Sequence, residues 1–212
     1  MDLDVDISWW VQEFLLRDRH NETIAKRLLA VAPLQNRHDW RLKKTVLLRT
    51  IESAIYDDAS VTEAILEALE SIEALDRGQG FQTTEAMRAA YCAVATECTV
   101  KFLVCFGRKY FEAVDRIWRG RVRVRVLEES EGSELVLAEL KERKYEVEAA
   151  IWDRNVSKKL ARMNTRNDAL RLVGKYAWAV IGPPFLNWAV RFHMVEESLG
   201  EGDGNVGDGE WE

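Results

Sequence analysis

Apolar positions recur at helical spacing along most of the chain, and the strongest pattern surrounds residues 89–118. Six side chains fall on one helical face at intervals of three or four residues: Met87, Tyr91, Val94, Cys98, Phe102 and Cys105. Gly107 then predicts a break. The partner helix that follows carries an inward face of its own: Tyr110, Ala113, Val114, Ile117 and Trp118. Such a hairpin cannot bury two apolar faces alone, so we expect the other helices to pack over it.

The rest of the chain is poor in helix breakers. It contains only 3 prolines, and 5 of its 12 glycines lie in the last 13 residues. Residues 60–63 match a capping box for a helix over residues 61–77, and Thr83 or Thr84 starts the central helix. Further helices are predicted over residues 7–19, about 22–31, 40–55, 135–154, 164–181 and 185–195, and residues 155–163 either continue the helix before them or form a separate short one. We therefore expect an all-α fold of about nine helices.

Two of the predicted helices carry a second apolar stripe. A helix at the edge of a monomer needs only one apolar face. The second stripes on residues 7–19 and 185–195 therefore predict contacts with another element or another chain. The residues of these two stripes are Val5, Trp9 and Leu16 on the first helix, and Leu186, Val190 and Met194 on the last.

The helical pattern gives way to a period of two over residues 120–126, which predicts a short extended segment or an irregular connector. Four arginines alternate here: Arg119, Arg121, Arg123 and Arg125. They could bind phosphates or act as an import signal. We favour a solvated side of a segment whose valines pack inward, because no aromatic residues interleave for base stacking.

Composition supports one domain over residues 1–195 and argues against a nucleic-acid-binding surface. The 212 residues are 47% hydrophobic, which is enough for one sizeable core. Residues 196–212 hold seven of the 36 acids and no base, so they are predicted to be an acidic, Gly-rich disordered linker. The remaining 30 basic and 29 acidic residues nearly balance. A body this close to neutral lacks the basic excess of nucleic-acid binders.

Signatures of catalysis are absent from the sequence. The three cysteines lie on one predicted helix, which indicates small core residues rather than a disulfide framework. The three histidines share no metal-ligand spacing with them. No phosphate-binding glycine loop or nucleophile motif occurs, and no apolar run approaches the roughly 20 residues that span a bilayer. We therefore expect no enzyme activity, no cofactor, no metal site and no membrane insertion.

Three segments together resemble the TRF-homology (TRFH) domain of telomere-repeat-binding factors. They are Ser8–Leu16, residues 57–62 with Glu67–Glu73, and Tyr110–Trp118 after a Cys-containing helix. The chain is most similar to the N-terminal part of plant TRF-like proteins, which carry a Myb-type DNA-binding domain near the C-terminus. The resemblance covers roughly residues 5–195.

The resemblance implies a nuclear, non-enzymatic domain that forms a symmetric homodimer through its first helices and a late helix. It also implies a groove for short partner peptides with an aromatic-x-Leu-x-Pro pattern, at Arg49, Tyr56 and Glu112. DNA would be bound only through a C-terminal domain absent from this chain. The alternative that stays open is a monomeric helical adaptor of tetratricopeptide type that binds peptides.

Overall fold

A computed structural model describes residues 39–56, 59–103, 107–124, 134–135 and 138–181, and their regular secondary structure is helical with no strand among them. The predicted all-α class is thus confirmed for this part of the chain. The predicted helices over residues 7–19, 22–31 and 185–195 lie outside it. Seven α-helices are described, against about nine expected for the whole chain: α1 (Asp39–Tyr56), α2 (Glu63–Gly78), α3 (Glu85–Val100), α4 (Arg108–Ala113), α5 (Ala138–Ala149), α6 (Arg154–Ala161) and α7 (Thr165–Ile181).

Helix α3 is the centre of the bundle, as the apolar pattern predicts. α7 packs most extensively against it, and α2, α4 and α5 contact it as well. The predicted inward residues Met87, Tyr91, Val94 and Cys98 are all buried. Polar contacts also cross this interface, since the buried Glu97 carboxylate accepts a 2.6 Å hydrogen bond from Thr165 Oγ1 on α7.

The bundle is closed by contacts between its first and last described helices. α7 packs on α1 in addition to α3, and α1 packs on α2. Lys44 Nζ on α1 donates a 2.6 Å hydrogen bond to the Asp76 carboxylate on α2, whose apolar face is buried as predicted: Ile65, Leu66, Leu69 and Ile72. None of the described helices is long and apolar enough to cross a bilayer.

Helix α3 ends earlier than the sequence predicts. The apolar run indicated a helix up to Gly107, but α3 stops at Val100 and turns, with Leu103 N donating to the Val100 carbonyl at 2.8 Å. Lys101 Nζ donates to the Val61 carbonyl at 3.2 Å in the connection between α1 and α2. This distant contact holds the end of the helix, and Gly107 is the N-cap of α4.

The partner of α3 has the predicted inward face, because Tyr110, Ala113, Val114, Ile117 and Trp118 are all fully buried. The extended or irregular segment predicted over residues 120–126 is wrong for residues 120–124, which are helical, and residues 125 and 126 lie outside the described part of the chain. Helix α4 continues directly into a π-helical segment, Val114–Val122. A π-helix bonds residue i to i+5, so side chains five apart share a side. Ile117 and Val122 are accordingly both buried.

The helix termini were predicted with mixed success. Thr84 caps α3 by accepting a 3.3 Å hydrogen bond from Met87 N, as expected. The capping box before α2 is wrong: the helix begins at Glu63, and the N-cap Thr62 makes no side-chain bond. The helix predicted over residues 135–154 ends earlier, at Ala149. Of the two alternatives for residues 155–163, the separate short helix is present as α6, which Asp153 caps by accepting from Asn155 N at 2.7 Å.

Candidate functional site

The π-helical segment is held against α2 by a group of ion pairs that we call the charge clamp, formed by Arg116 and Arg121 with Glu63, Glu67 and Glu70. Arg116 donates to Glu63 through Nε at 2.8 Å and Nη2 at 2.5 Å. Arg121 donates through Nη1 to Glu70 at 2.8 Å and through Nη2 to Glu67 at 3.1 Å. The two arginines are five residues apart, so the π-helical register turns both toward α2.

Electrostatics within the charge clamp favour the ionised forms. The hydrogen bond from Arg116 lowers the pKa of Glu63, and the positive charges of Arg116, Arg121 and Lys101 add to this effect against partial desolvation. The same hydrogen bond raises the pKa of Arg116. Glu70 also accepts a 2.7 Å hydrogen bond from the hydroxyl of the buried Tyr91. The clamp therefore connects the surface of the π-helical segment to the core.

This arrangement gives two of the four alternating arginines a structural role. Arg119 pairs with Asp115 at 2.8 Å, and Arg121 belongs to the clamp. Arg123 is exposed, and Arg125 lies outside the described residues. These contacts favour the interpretation of the four arginines as the solvated side of a packed segment over phosphate binding, because two of the arginines already pair with carboxylates.

The residues of the predicted peptide groove lie on different helices. Arg49, on α1, is half-buried and pairs with Glu52 on the same helix. Glu112, on α4, is exposed and accepts a 2.6 Å hydrogen bond from Arg108 Nε. Tyr56 is the last residue of α1, and its side chain lies outside the description.

The structure links the region of Glu112 to the start of α2. Arg116 follows Glu112 by one turn, and its bonds to Glu63 reach the first residue of α2, directly after the α1–α2 connection. The extensive contacts of α1 are with α2 and α7, whereas those of α4 are with the π-helical segment and α3. The groove formed by Arg49, Tyr56 and Glu112 together stays a prediction.

The predicted dimer interface also stays a prediction. Its six residues all lie outside the described part of the chain: Val5, Trp9, Leu16, Leu186, Val190 and Met194.

The three histidines, at positions 20, 38 and 193, lie outside the described part of the chain as well. Among the residues that the structure does describe, no group of three or more side chains is placed to hold a metal ion.

A cleft of about 170 Å³ opens between α3, α5 and α7. It is smaller than the roughly 300–1,000 Å³ of typical ligand pockets. Three of its four charged side chains are in ion pairs: Arg143 donates to Glu146 at 2.6 Å, and Arg171 lies 3.6 Å from Asp168. The fourth is Glu139.

The cysteines of α3 behave as core residues, as predicted. Cys92, which lines this cleft, and Cys98 are both buried with free thiols. Burial raises the pKa of Cys92 to about 12, with Glu139 adding to the shift, and burial raises the pKa of Cys98 to about 11. Both thiols therefore stay protonated near neutral pH. Because the thiolate is the nucleophilic form of cysteine, neither side chain is in its nucleophilic form there. Cys105 lies outside the described residues.

One surface was missed by the sequence analysis. Tyr145 and Trp152 are exposed, and both lie on the outer side of α5 and the turn that follows it. The signal in the sequence was their separation of seven residues, which places both on one side of a helix, away from the buried Leu140 and Val147.

No protein-family model matches this chain, and no curated protein or solved structure matches it significantly. The resemblance to TRFH domains therefore rests on the amino-acid sequence alone.

Proposed function

We propose that this chain is the homodimerisation and protein-docking domain of a nuclear, telomere-repeat-binding-factor-like protein. The observation that carries the proposal is the placement of Tyr110–Trp118, the segment with the closest resemblance to TRFH domains. Its inward residues form part of the buried core, and the Tyr110 hydroxyl donates a 2.8 Å hydrogen bond to the Val147 carbonyl on α5. The resemblance thus coincides with residues that organise the fold.

Closure of the bundle favours this proposal over the tetratricopeptide-type alternative. In a repeat solenoid each unit contacts only its neighbours along the chain. Here α7 packs both on α1, the first described helix, and on the central α3. The ion pair between Lys44 and Asp76 and the bond between Thr165 and Glu97 hold these helices in one cluster. The alternative, a monomeric adaptor of tetratricopeptide type, predicts a monomer in solution, so oligomeric state distinguishes the two proposals.

A dimer of such domains would hold two DNA-binding domains of the full protein close together. The second DNA contact then becomes intramolecular, and its effective concentration rises into the millimolar range for short flexible linkers. In this proposal the domain contributes to DNA binding through dimerisation, while partner proteins dock by short peptides at Arg49, Tyr56 and Glu112. For Arg49 this requires exchanging its pair with Glu52 for a peptide group.

Light scattering tests the dimer. We expect the wild-type chain to have twice the monomer mass at tens of micromolar, because the second apolar stripe of residues 7–19 would otherwise face water. The double variant Trp9→Glu/Leu16→Glu should be a folded monomer by light scattering and circular dichroism.

The matched control places the same two substitutions on exposed apolar residues of the described surface, as Trp178→Glu/Val124→Glu. This control should remain dimeric. A wild-type chain that is monomeric under these conditions contradicts the proposal, and so does a control that dissociates as readily as the interface variant.

A further inference from the structure

Two aromatic side chains on the outer side of α5 and of the turn that follows it are exposed to solvent. Trp152 is 86% exposed and Tyr145 is 70% exposed, whereas Trp118 in the core is fully buried. In the turn after α5, a hydrogen bond joins residues three apart, since Trp152 N donates to the Ala149 carbonyl at 2.9 Å. The two rings therefore lie on one side, about two helical turns apart. Aromatic residues are the side chains that most often anchor protein contacts.

Helix α6, which begins two residues after Trp152, carries three exposed cations. Arg154 and Lys158 are four residues apart, so they share a helical side, and Arg162 continues the row at the end of the helix. All three are exposed, and within the described residues none of them pairs with a carboxylate. Lys159 differs, because it pairs with Glu146 at 2.5 Å. We call the two aromatic residues and the three cations the α5–α6 face.

The chain itself contains a segment complementary to this face. Residues 196–212 hold seven acids, no base, and the apolar Leu199 and Trp211. Ile181, the end of α7, and position 196 are fifteen residues apart. With residues 185–195 in the predicted helix, this stretch spans about 15 Å of helix and about 17 Å of extended chain, or roughly 30 Å in all. Helix α7 is about 25 Å long and begins three residues after Arg162, so the segment can reach the face.

We propose that the α5–α6 face binds the acidic segment 196–212 of the same chain. The three cations attract its carboxylates, and Trp152 and Tyr145 contact its apolar side chains. A nucleic acid fits less well, because three cations release only about three counterions. The rest of the chain has 30 basic and 29 acidic residues, so it has no long-range attraction for a polyanion. This inference does not depend on dimerisation or on the peptide groove.

The probe is a synthetic peptide of residues 196–212 with a fluorophore at its N-terminus, and the readout is fluorescence anisotropy. Binding is measured to the full chain in which the seven acids of the attached segment are changed to Gln or Asn, which leaves the face free. The wild-type chain should bind the probe at least about tenfold more weakly, because its own segment competes at a roughly millimolar effective concentration.

Variants of the acid-neutralised chain then locate the site. The triple change Arg154→Glu/Lys158→Glu/Arg162→Glu should weaken probe binding at least about tenfold. Trp152→Ala should weaken it about tenfold, equivalent to about 1.4 kcal/mol. Because Trp152 is 86% exposed, its truncation leaves the fold intact and keeps the test valid even if the triple variant fails to fold.

The matched control reverses three other exposed cations that, within the described residues, pair with no carboxylate: Lys109, Arg123 and Lys175. This control has the same net charge as the triple variant and should change the affinity less than about threefold. Equal weakening by the two triple variants would overturn the proposal, since net charge alone would explain it. Equal probe affinity of wild-type and acid-neutralised chains would overturn it as well.

A labelled DNA duplex of similar size provides the last arm of the test. We expect it to bind the acid-neutralised chain more weakly than the probe does. Tighter binding of the duplex that is lost with Trp152→Ala would overturn the proposal and assign the α5–α6 face to nucleic acid.

Discussion

Trp118 Nε1 donates a 2.8 Å hydrogen bond to Thr99 Oγ1, and both side chains are fully buried. The Thr99 hydroxyl in turn donates to the Ala95 carbonyl at 3.0 Å. A single hydroxyl thus satisfies the only polar atom of the largest side chain in the core. It also fixes the π-helical segment against α3, because Trp118 lies within that segment.

Thr99→Val should destabilise the fold by about 1–3 kcal/mol, because the change conserves volume but leaves the Trp118 N–H buried without a partner. Urea unfolding followed by Trp fluorescence measures this. Thr99→Ser is the control: it keeps the acceptor and removes one methyl group, so it should cost only about 1 kcal/mol. If the Ser variant is the less stable of the two, packing rather than the hydrogen bond decides the stability here.

Arg121→Gln should lower the free energy of unfolding by about 1 kcal/mol, because it removes the partly buried ion pair with Glu70 and the weaker pair with Glu67. Arg123→Gln is the control: Arg123 is exposed, so the change should stay within about 0.5 kcal/mol. Near 1 M salt the Debye length is about 3 Å, and the difference between the two variants should shrink. Equal effects of both substitutions would contradict a structural role for the charge clamp.

Acid should remove the contribution of the Glu63–Arg116 pair. The folded pKa of Glu63 lies below its ordinary value of 4.5, so this stabilisation is fully present above about pH 4.5 and is lost as the pH falls through the folded pKa. Glu63→Gln should therefore be less stable than wild type by up to about 1 kcal/mol at pH 7. The two proteins should converge below the folded pKa. Glu142→Gln, at an exposed acid on α5, should show no such convergence. Unfolding curves from pH 3 to 7 measure the difference.

Tyr56→Ala should weaken binding of a synthetic Tyr-x-Leu-x-Pro peptide by roughly thirtyfold, because loss of an aromatic anchor costs about 2 kcal/mol. Titration calorimetry measures the affinity, and light scattering should show the dimer unchanged. The control is Trp178→Ala, which removes an exposed aromatic ring from α7 and should bind like wild type. Equal affinities of the Tyr56 variant and wild type would show that the peptide binds elsewhere.

The sequence predicted the helices that carry the candidate site residues better than it predicted the contacts of those residues. Periodicity placed Arg49 and Glu112 on helices, and both are there. Their partners, Glu52 and Arg108, could not be chosen from the sequence, because charged side chains reach several neighbours at spacings of three or four residues. The exposed Trp152 was missed for a related reason. Its exposure depends on which helices cover α5, and periodicity describes only one helix at a time.

The sequence by itself determined the all-α class and the buried faces of the central hairpin, because burial repeats with the helical period and can be read locally. Tertiary structure decided where α3 ends and how the chain runs after Trp118. The end of α3 depends on Lys101 contacting Val61, forty residues earlier. The π-helical register depends on Arg116 and Arg121 reaching acids of α2 more than fifty residues away. The local period of two carried no information about these acids, so it predicted an extended or irregular segment where residues 120–124 are helical.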